Sequence, residues 1–305
     1  MRRAFSDTLV EIADKNEKLM FLTGDLGYQV FTELEEKHPD KYINAGIAEA
    51  QMATCAAGLA LSGYRPIIYS IASFMTGRAF EQIRVSINYQ QLPVLVVGAG
   101  GGYIYANSGV THHAAEDMGL MSLLPGMQVL SPGSPEEVKS LLWQFFETTK
   151  PAYMRVGRFG EPEYEALAPV ELGKARPVAQ GSDIALLSTG DSVISCVEAC
   201  QLLAENNINP SHYQYHTIAP FDETTLENVL MTHQHVIVIE DHFPVGGLYS
   251  KVCEYKAKGQ YLSNLHRLGP KHELLFGAPS IKELKAEQHY DAQGILNFCH
   301  RLLNE

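Results

Sequence analysis

The strongest constraint on this chain is a strand-and-helix rhythm that runs, breaks and runs again. Short uncharged runs at 19–22, 66–69, 93–97, 128–130 and 152–154 have the length and bulk of strands buried on both faces. Stretches 5–16, 47–61, 74–88 and 136–148 alternate with them and keep helical spacing over enough turns to cover a sheet. From 157 to 181 the periodicity disappears among prolines, glycines and acids. It returns with apolar runs at 183–187 and 235–239 and helical patterns at 193–206, 224–232 and 247–258. Because 305 residues exceed what one compact core usually holds, the expected architecture is α/β. Two parallel-sheet domains, at 1–165 and 181–305, are joined by a linker at 166–180.

Charge then narrows the partners. A net charge of −12 without any lysine or arginine cluster argues against nucleic acid. No run is long enough to span a membrane, and Asp7, Glu11 and Asp14 interrupt the N-terminus before a secretory signal could form. Cys55, Cys196, Cys200, Cys253 and Cys299 show no C-x-x-C spacing, which fits reduced core thiols in a cytoplasmic enzyme.

Ligands of open parallel sheets gather beyond the carboxyl ends of the strands. Here those positions hold Thr23-Gly24-Asp25-Leu26-Gly27, the segment from Ser70 to Phe80, a glycine-rich stretch from Gly98 to His113, and Arg155 with Arg158. Between them, the turn Asn44-Ala45-Gly46-Ile47-Ala48 delivers Glu49 onto a helix whose next residues, 50–61, carry no charge. The helix dipole alone accounts for an acid in a first turn, but a carboxylate docked against so apolar a helix needs a partner. The glycine stretch ends in no Gly-Lys-Ser/Thr and opens no G-x-G-x-x-G helix, so it is neither a phosphate loop nor a dinucleotide fingerprint. Its glycines suit a long active-site loop. His112 and His113, with Glu116 and Asp117 behind them, match no familiar zinc spacing, and no metal ligand is assigned in this chain. Proton transfer to a polar substrate suits the pair better.

Gly46-Ile47-Ala48-Glu49, the aromatic segment Phe74 to Phe80, Thr111-His112-His113 and Arg158 stand in an order and spacing that resembles the pyrimidine-binding domain of transketolases. The second half, with Glu240-Asp241-His242 and Gly246-Gly247-Leu248, is similar to the transketolase C-terminal domain. The resemblance implies thiamine diphosphate as cofactor. It gives Glu49 the role of the glutamate that shares a proton with N1′ of the aminopyrimidine, in an apolar pocket, so that the cofactor activates its own thiazolium carbon. It places Phe74 against the aminopyrimidine ring, Phe80 at the pocket wall, and Asp25 and Leu26 along the cofactor. His112 would bond the substrate hydroxyls near the reacting carbon, with His113 beside it as a second catalytic group. Ser108 would stand at a position that reads a substrate hydroxyl, and Arg158 would hold a sugar phosphate. Arg155 either shares that task or pairs with a carboxylate at the domain seam.

Transketolases hold the diphosphate and Mg2+ through a Gly-Asp-Gly motif on a separate N-terminal domain, and this sequence has no Gly-Asp-Gly. The resemblance therefore implies the C-terminal subunit of a split enzyme, active only with an N-terminal-half partner that brings the diphosphate and Mg2+ ligands, as an α2β2 heterotetramer. Departures fall at substrate positions: Gln29 for a phosphate-binding serine, Gly100 for a histidine and Ser108 for an aspartate. They suggest two-carbon ketol transfer involving a non-standard sugar. The alternatives are the β subunit of an α-keto acid dehydrogenase and a non-catalytic regulatory subunit of the same fold.

Overall fold

The computed structural model describes residues 1–27, 29–158 and 160–304. Its strands, in chain order, are β1 (Leu19–Thr23), β2 (Tyr42–Asn44), β3 (Arg65–Ile71), β4 (Leu95–Ala99), β5 (Gln128–Leu130), β6 (Ala152–Val156), β7 (Arg176–Ala179), β8 (Ile184–Ser188), β9 (Ser211–Gln214), β10 (Thr217–Ala219), β11 (His235–Ile239) and β12 (Asn264–Leu268). They form two sheets, ordered β10-β5-β6-β4-β3-β1-β2 and β12-β11-β8-β9-β7. Pairing is parallel except between β10 and β5 and between β7 and β9. The expected pair of parallel α/β sheets is therefore present, each with an antiparallel strand at one edge.

Alternation along the strands divides the first sheet's neighbours into two cores. Ile67, Tyr69, Leu95 and Val97 pack with Phe5, Leu9, Leu141 and Phe145 from helices Arg2–Ala13 and Pro135–Glu147. The second of those helices opens on Ser134, whose Oγ accepts from the Glu137 N–H at 3.3 Å, with Pro135 in its first turn. On the other face Leu22, Ile68 and Val96 pack with Met52, Ala53 and Ala56 of helix Glu49–Leu61. That core continues without a break into Leu187, Val236, Val238 and Leu248 of the second half. β10 crosses the same seam to join the first sheet.

Three features differ from the sequence reading. The helix expected at 74–88 is three pieces, Phe74–Arg78, Phe80–Gln82 and Ile83–Asn88, the first and last wound in wider π turns. Such widening is common where a helix serves a site. β7 lies within the stretch read as structureless, and its irregular pairing with β9 explains the lack of a strand signal there. Cys196 and Cys299 are buried, whereas Cys55 is exposed, because it sits on the side of helix Glu49–Leu61 opposite the buried Ala53 and Ala57. Among the described residues no helix is long and apolar enough to cross a membrane.

Candidate active site

β1, β3, β4 and β6 are parallel neighbours, so the loops that follow them open at one edge of the sheet. Glu49 begins the helix Glu49–Leu61 beneath those loops and is 1 % exposed. The apolar pocket expected around it is not what the structure shows. Ser70 Oγ, at the end of β3, donates to Glu49 Oε1 at 2.9 Å, and Arg78 Nη1 donates to Oε2 at 2.7 Å. The correction has a simple cause: a carboxylate at this depth requires donors, and two flanking loops supply them.

From Glu49 a chain of contacts runs outward. The Arg78 guanidinium lies 4.6 Å from the centre of the Phe74 ring. Phe74 meets His112 edge-on at 5.1 Å, His112 meets Tyr105 at 6.1 Å, and Arg158 stacks over Tyr105 at 5.5 Å. Ser73 Oγ donates to the Thr111 carbonyl at 2.8 Å, tying the two loops together, and Thr111 Oγ1 engages His112 Nδ1 at 2.9 Å. Glu49, Phe74, His112 and Arg158 are thus linked in one chain of contacts, through Arg78 and Tyr105, that starts at a buried carboxylate and ends at an exposed arginine. Asp25 and Leu26 line a cleft of about 510 Å³ with Gln29, Tyr42 and Asn44, whose walls include none of Glu49, Phe74, His112 and Arg158. Gly24, which precedes Asp25, abuts the serine that holds Glu49: a Cβ there would lie 3.2 Å from Ser70 Oγ. Asp25 is locked to Asn44, which donates to Asp25 Oδ1 at 3.1 Å and accepts from the Asp25 N–H at 3.2 Å. Phe80 is half-buried against the core that contains Met52 and Ile83. Ser108 ends a short turn, Ala106–Ser108, that is buried at Ala106 and exposed at Ser108 itself. His113 turns the other way from His112. Its Nε2 lies 3.2 Å from the Ala106 carbonyl and its ring packs on Tyr103 at 4.9 Å.

The glycine loop is held from behind by the second half of the chain. The Tyr103 N–H donates to Asp241 Oδ2 at 2.7 Å and the Tyr290 hydroxyl to Oδ1 at 3.1 Å. Burial pushes the Asp241 carboxyl above the usual range. The Phe243 N–H donates to the Ala115 carbonyl at 2.7 Å. Burial also keeps His242 neutral, lowering it to about 4, which leaves its Nε2 free to accept the Gly119 N–H at 3.1 Å. Arg155 is buried rather than directed at the cleft: Nε donates to Asp117 Oδ2 at 2.9 Å, Nη2 to Oδ1, and Nη1 to the Asp241 carbonyl at 3.0 Å. Of the two roles open to it, pairing at the seam is the one observed.

Two glycines show why this loop is built as it is. A Cβ on Gly100, at φ +72°, would stand 2.0 Å from the Tyr105 ring, so Tyr105 fills the space that any side chain at position 100 would need. A Cβ on Gly102, at φ +62°, would stand 2.2 Å from Asp241 Oδ2. Gly102→Ala should therefore lower stability by about 1–3 kcal/mol through overpacking alone, read as a lower urea midpoint. An unchanged midpoint would mean that the loop does not dock on Asp241.

Arg78, Ser70 and Tyr105 escaped the sequence reading. Arg78 and Ser70 carried one usable signal, as polar residues in a largely apolar segment facing a lone acid. Tyr105 carried none beyond its place in the glycine loop.

The pattern that defines "Transketolase, pyrimidine binding domain" matches residues 1–159, and that of "Transketolase, C-terminal domain" matches residues 173–295. A Methanocaldococcus jannaschii protein carrying the provisional name transketolase C-terminal section is 33 % identical, over 88 % of this chain and 85 % of its own length. One subunit of the apulose-4-phosphate transketolase of Phocaeicola vulgatus is 29 % identical, over 83 % of this chain and 82 % of its own length. A 1-deoxy-D-xylulose-5-phosphate synthase of Cytophaga hutchinsonii is 31 % identical over 98 % of this chain, which spans only 47 % of that enzyme. Among solved structures, a split-gene transketolase described as an inactive β4 tetramer superposes with a TM-score of 0.87 at 28 % identity, covering 99 % of this chain and 97 % of its own.

Proposed function

The chain belongs to the transketolase family, and on that footing we propose that it is the C-terminal subunit of a two-chain, thiamine diphosphate-dependent transketolase. It would transfer a two-carbon ketol unit between a ketose donor and an aldose acceptor, one of them a non-standard sugar. The observation that carries this reading is the continuous chain of contacts from Glu49 through Phe74 and His112 to Arg158.

Those residues fit the aminopyrimidine half of the cofactor: a buried carboxylate fixed by Ser70 lies beside a half-exposed aromatic face. When bound, thiamine diphosphate supplies an acidic thiazolium carbon that can accept the ketol unit. Glu49 holds a proton at N1′, and Phe74 fixes the ring plane. Asp25, Leu26 and Phe80 bound the cofactor pocket. His112, oriented through Nδ1 by Thr111, keeps Nε2 available to exchange a proton at a substrate hydroxyl. Ser108 reads a further hydroxyl, and Arg158, exposed at the rim, takes a phosphate. His113, buried on Tyr103, positions the loop instead of meeting the sugar.

The diphosphate and Mg2+ ligands would come from an N-terminal-half partner in a cytoplasmic α2β2 assembly. Ile47 beside Glu49 and Val110 beside His112 are 74 % and 65 % exposed, an apolar rim suited to such a partner. The division at 1–165, 166–180 and 181–305 belongs to the same proposal. The decisive assay combines this chain with a protein bearing Gly-Asp-Gly and a downstream asparagine, plus thiamine diphosphate and Mg2+. Two-carbon transfer between sugars is the expected result. Efficient turnover of xylulose 5-phosphate with ribose 5-phosphate would sink the non-standard sugar, and pyruvate decarboxylation without ketol transfer would replace the reaction by that of an α-keto acid dehydrogenase.

A further inference from the structure

Arg78 makes both of the contacts that the cofactor assignment reserves for the aminopyrimidine ring. Its Nη1 donates to Glu49 Oε2 at 2.7 Å, and its guanidinium carbon stands 4.6 Å from the centre of the Phe74 ring. A guanidinium is flat, cationic, carries its N–H donors in its plane and stacks on aromatic faces. A protonated aminopyrimidine offers the same features, with N1′–H in the plane and a π face for Phe74. We propose that Arg78 is an internal placeholder for the aminopyrimidine: it occupies Glu49 and Phe74 in the chain alone, and the incoming ring displaces it toward solvent. The inference rests on the assignment of Glu49 and Phe74 to the cofactor.

The two partners are unequally held, and that decides which one moves. Glu49 is 1 % exposed and keeps its bond from Ser70 Oγ at 2.9 Å when Arg78 leaves. The Arg78 side chain is 47 % exposed, at the end of the wide-turned segment Phe74–Arg78, and the space around Gly77 is open. A buried carboxylate with no counter-charge is costly, so a removable arginine keeps the site built without its ligand. The consequence is competition. Oε2 can take the guanidinium or N1′–H but not both, and the apparent dissociation constant is the intrinsic one divided by the fraction of chains in which the site is open.

The test titrates the isolated chain with thiamine and follows binding by NMR in wild type, Arg78→Ala and Arg78→Gln. Arg78→Ala should bind thiamine more tightly, by about 3–10-fold, with Arg78→Gln in the same direction. In wild type the Arg78 Nε–Hε resonance should move toward the position of a free arginine as thiamine is added. Weaker or unchanged binding by Arg78→Ala, or none at all, would overturn the placeholder, weaker binding making Arg78 a cofactor contact instead. Should Arg78→Ala fail to fold, Arg78→Gln and the wild-type resonance each decide the question. Adding Glu49→Gln to Arg78→Ala separates the underlying reading: undiminished thiamine binding by the double variant would refute Glu49 itself.

Discussion

Glu49→Ala is expected to lower cofactor-dependent turnover of the chain reconstituted with its diphosphate-domain partner by about 10²–10⁴-fold, the range removed with a positioned proton-transfer group. Fold and assembly should survive. The carboxylate meets two donors, Ser70 Oγ and Arg78 Nη1. Ser70 loses an acceptor, while Arg78 is half-exposed and can turn into water, so the stability lost through the broken pair should stay near the ~1 kcal/mol of a solvent-accessible ion pair. Glu49→Gln sharpens the result, because the amide keeps the shape and one acceptor but cannot hold a proton at N1′. Both variants should therefore be inactive while eluting with the partner at the wild-type position. Retained turnover in either one would remove Glu49 from the chemistry, whatever the family.

What could be read beforehand divides along physical lines. Parallel strands buried on both faces leave an uninterrupted apolar signature, and β1, β3, β4, β6, β8 and β11 all coincide with such runs. β7, β9, β10 and β12 do not. They are short or lie at sheet edges, and residues such as His212, Thr217 and His266 interrupt the pattern. At the site, Glu49 was legible because an acid among alanines is chemically out of place. Its partner was not, since the Arg78 contact joins residues 29 positions apart across two loops, and no local pattern encodes it. The histidine pair shows another limit. His113 takes extended backbone, φ −69° and ψ 137°, where successive side chains point to opposite sides. A doublet in such backbone offers one ring to each side, and only the packing decides that His112 meets Phe74 while His113 lies on Tyr103.

Asp117→Ala is expected to be the most damaging single change for stability, costing about 3–5 kcal/mol, because it leaves a buried guanidinium without its counter-charge. Asp117 is fully buried and Arg155 is 4 % exposed. Two Arg155 nitrogens, Nε and Nη2, donate to the Asp117 carboxylate, and the Tyr153 hydroxyl adds a third donor at 2.6 Å. The loss reaches the site through the glycine loop. Arg155 also donates to the Ala114 carbonyl at 3.4 Å and the Asp241 carbonyl at 3.0 Å, the points where the loop meets the second half. An arginine released from Asp117 would pull on both. Urea unfolding of Asp117→Ala measures the cost, and adding Arg155→Met tests its origin, since removing the orphaned charge should recover part of the loss. A double variant no more stable than Asp117→Ala would show that the damage lies in the packing of helix Asp117–Ser122 rather than in an uncompensated charge.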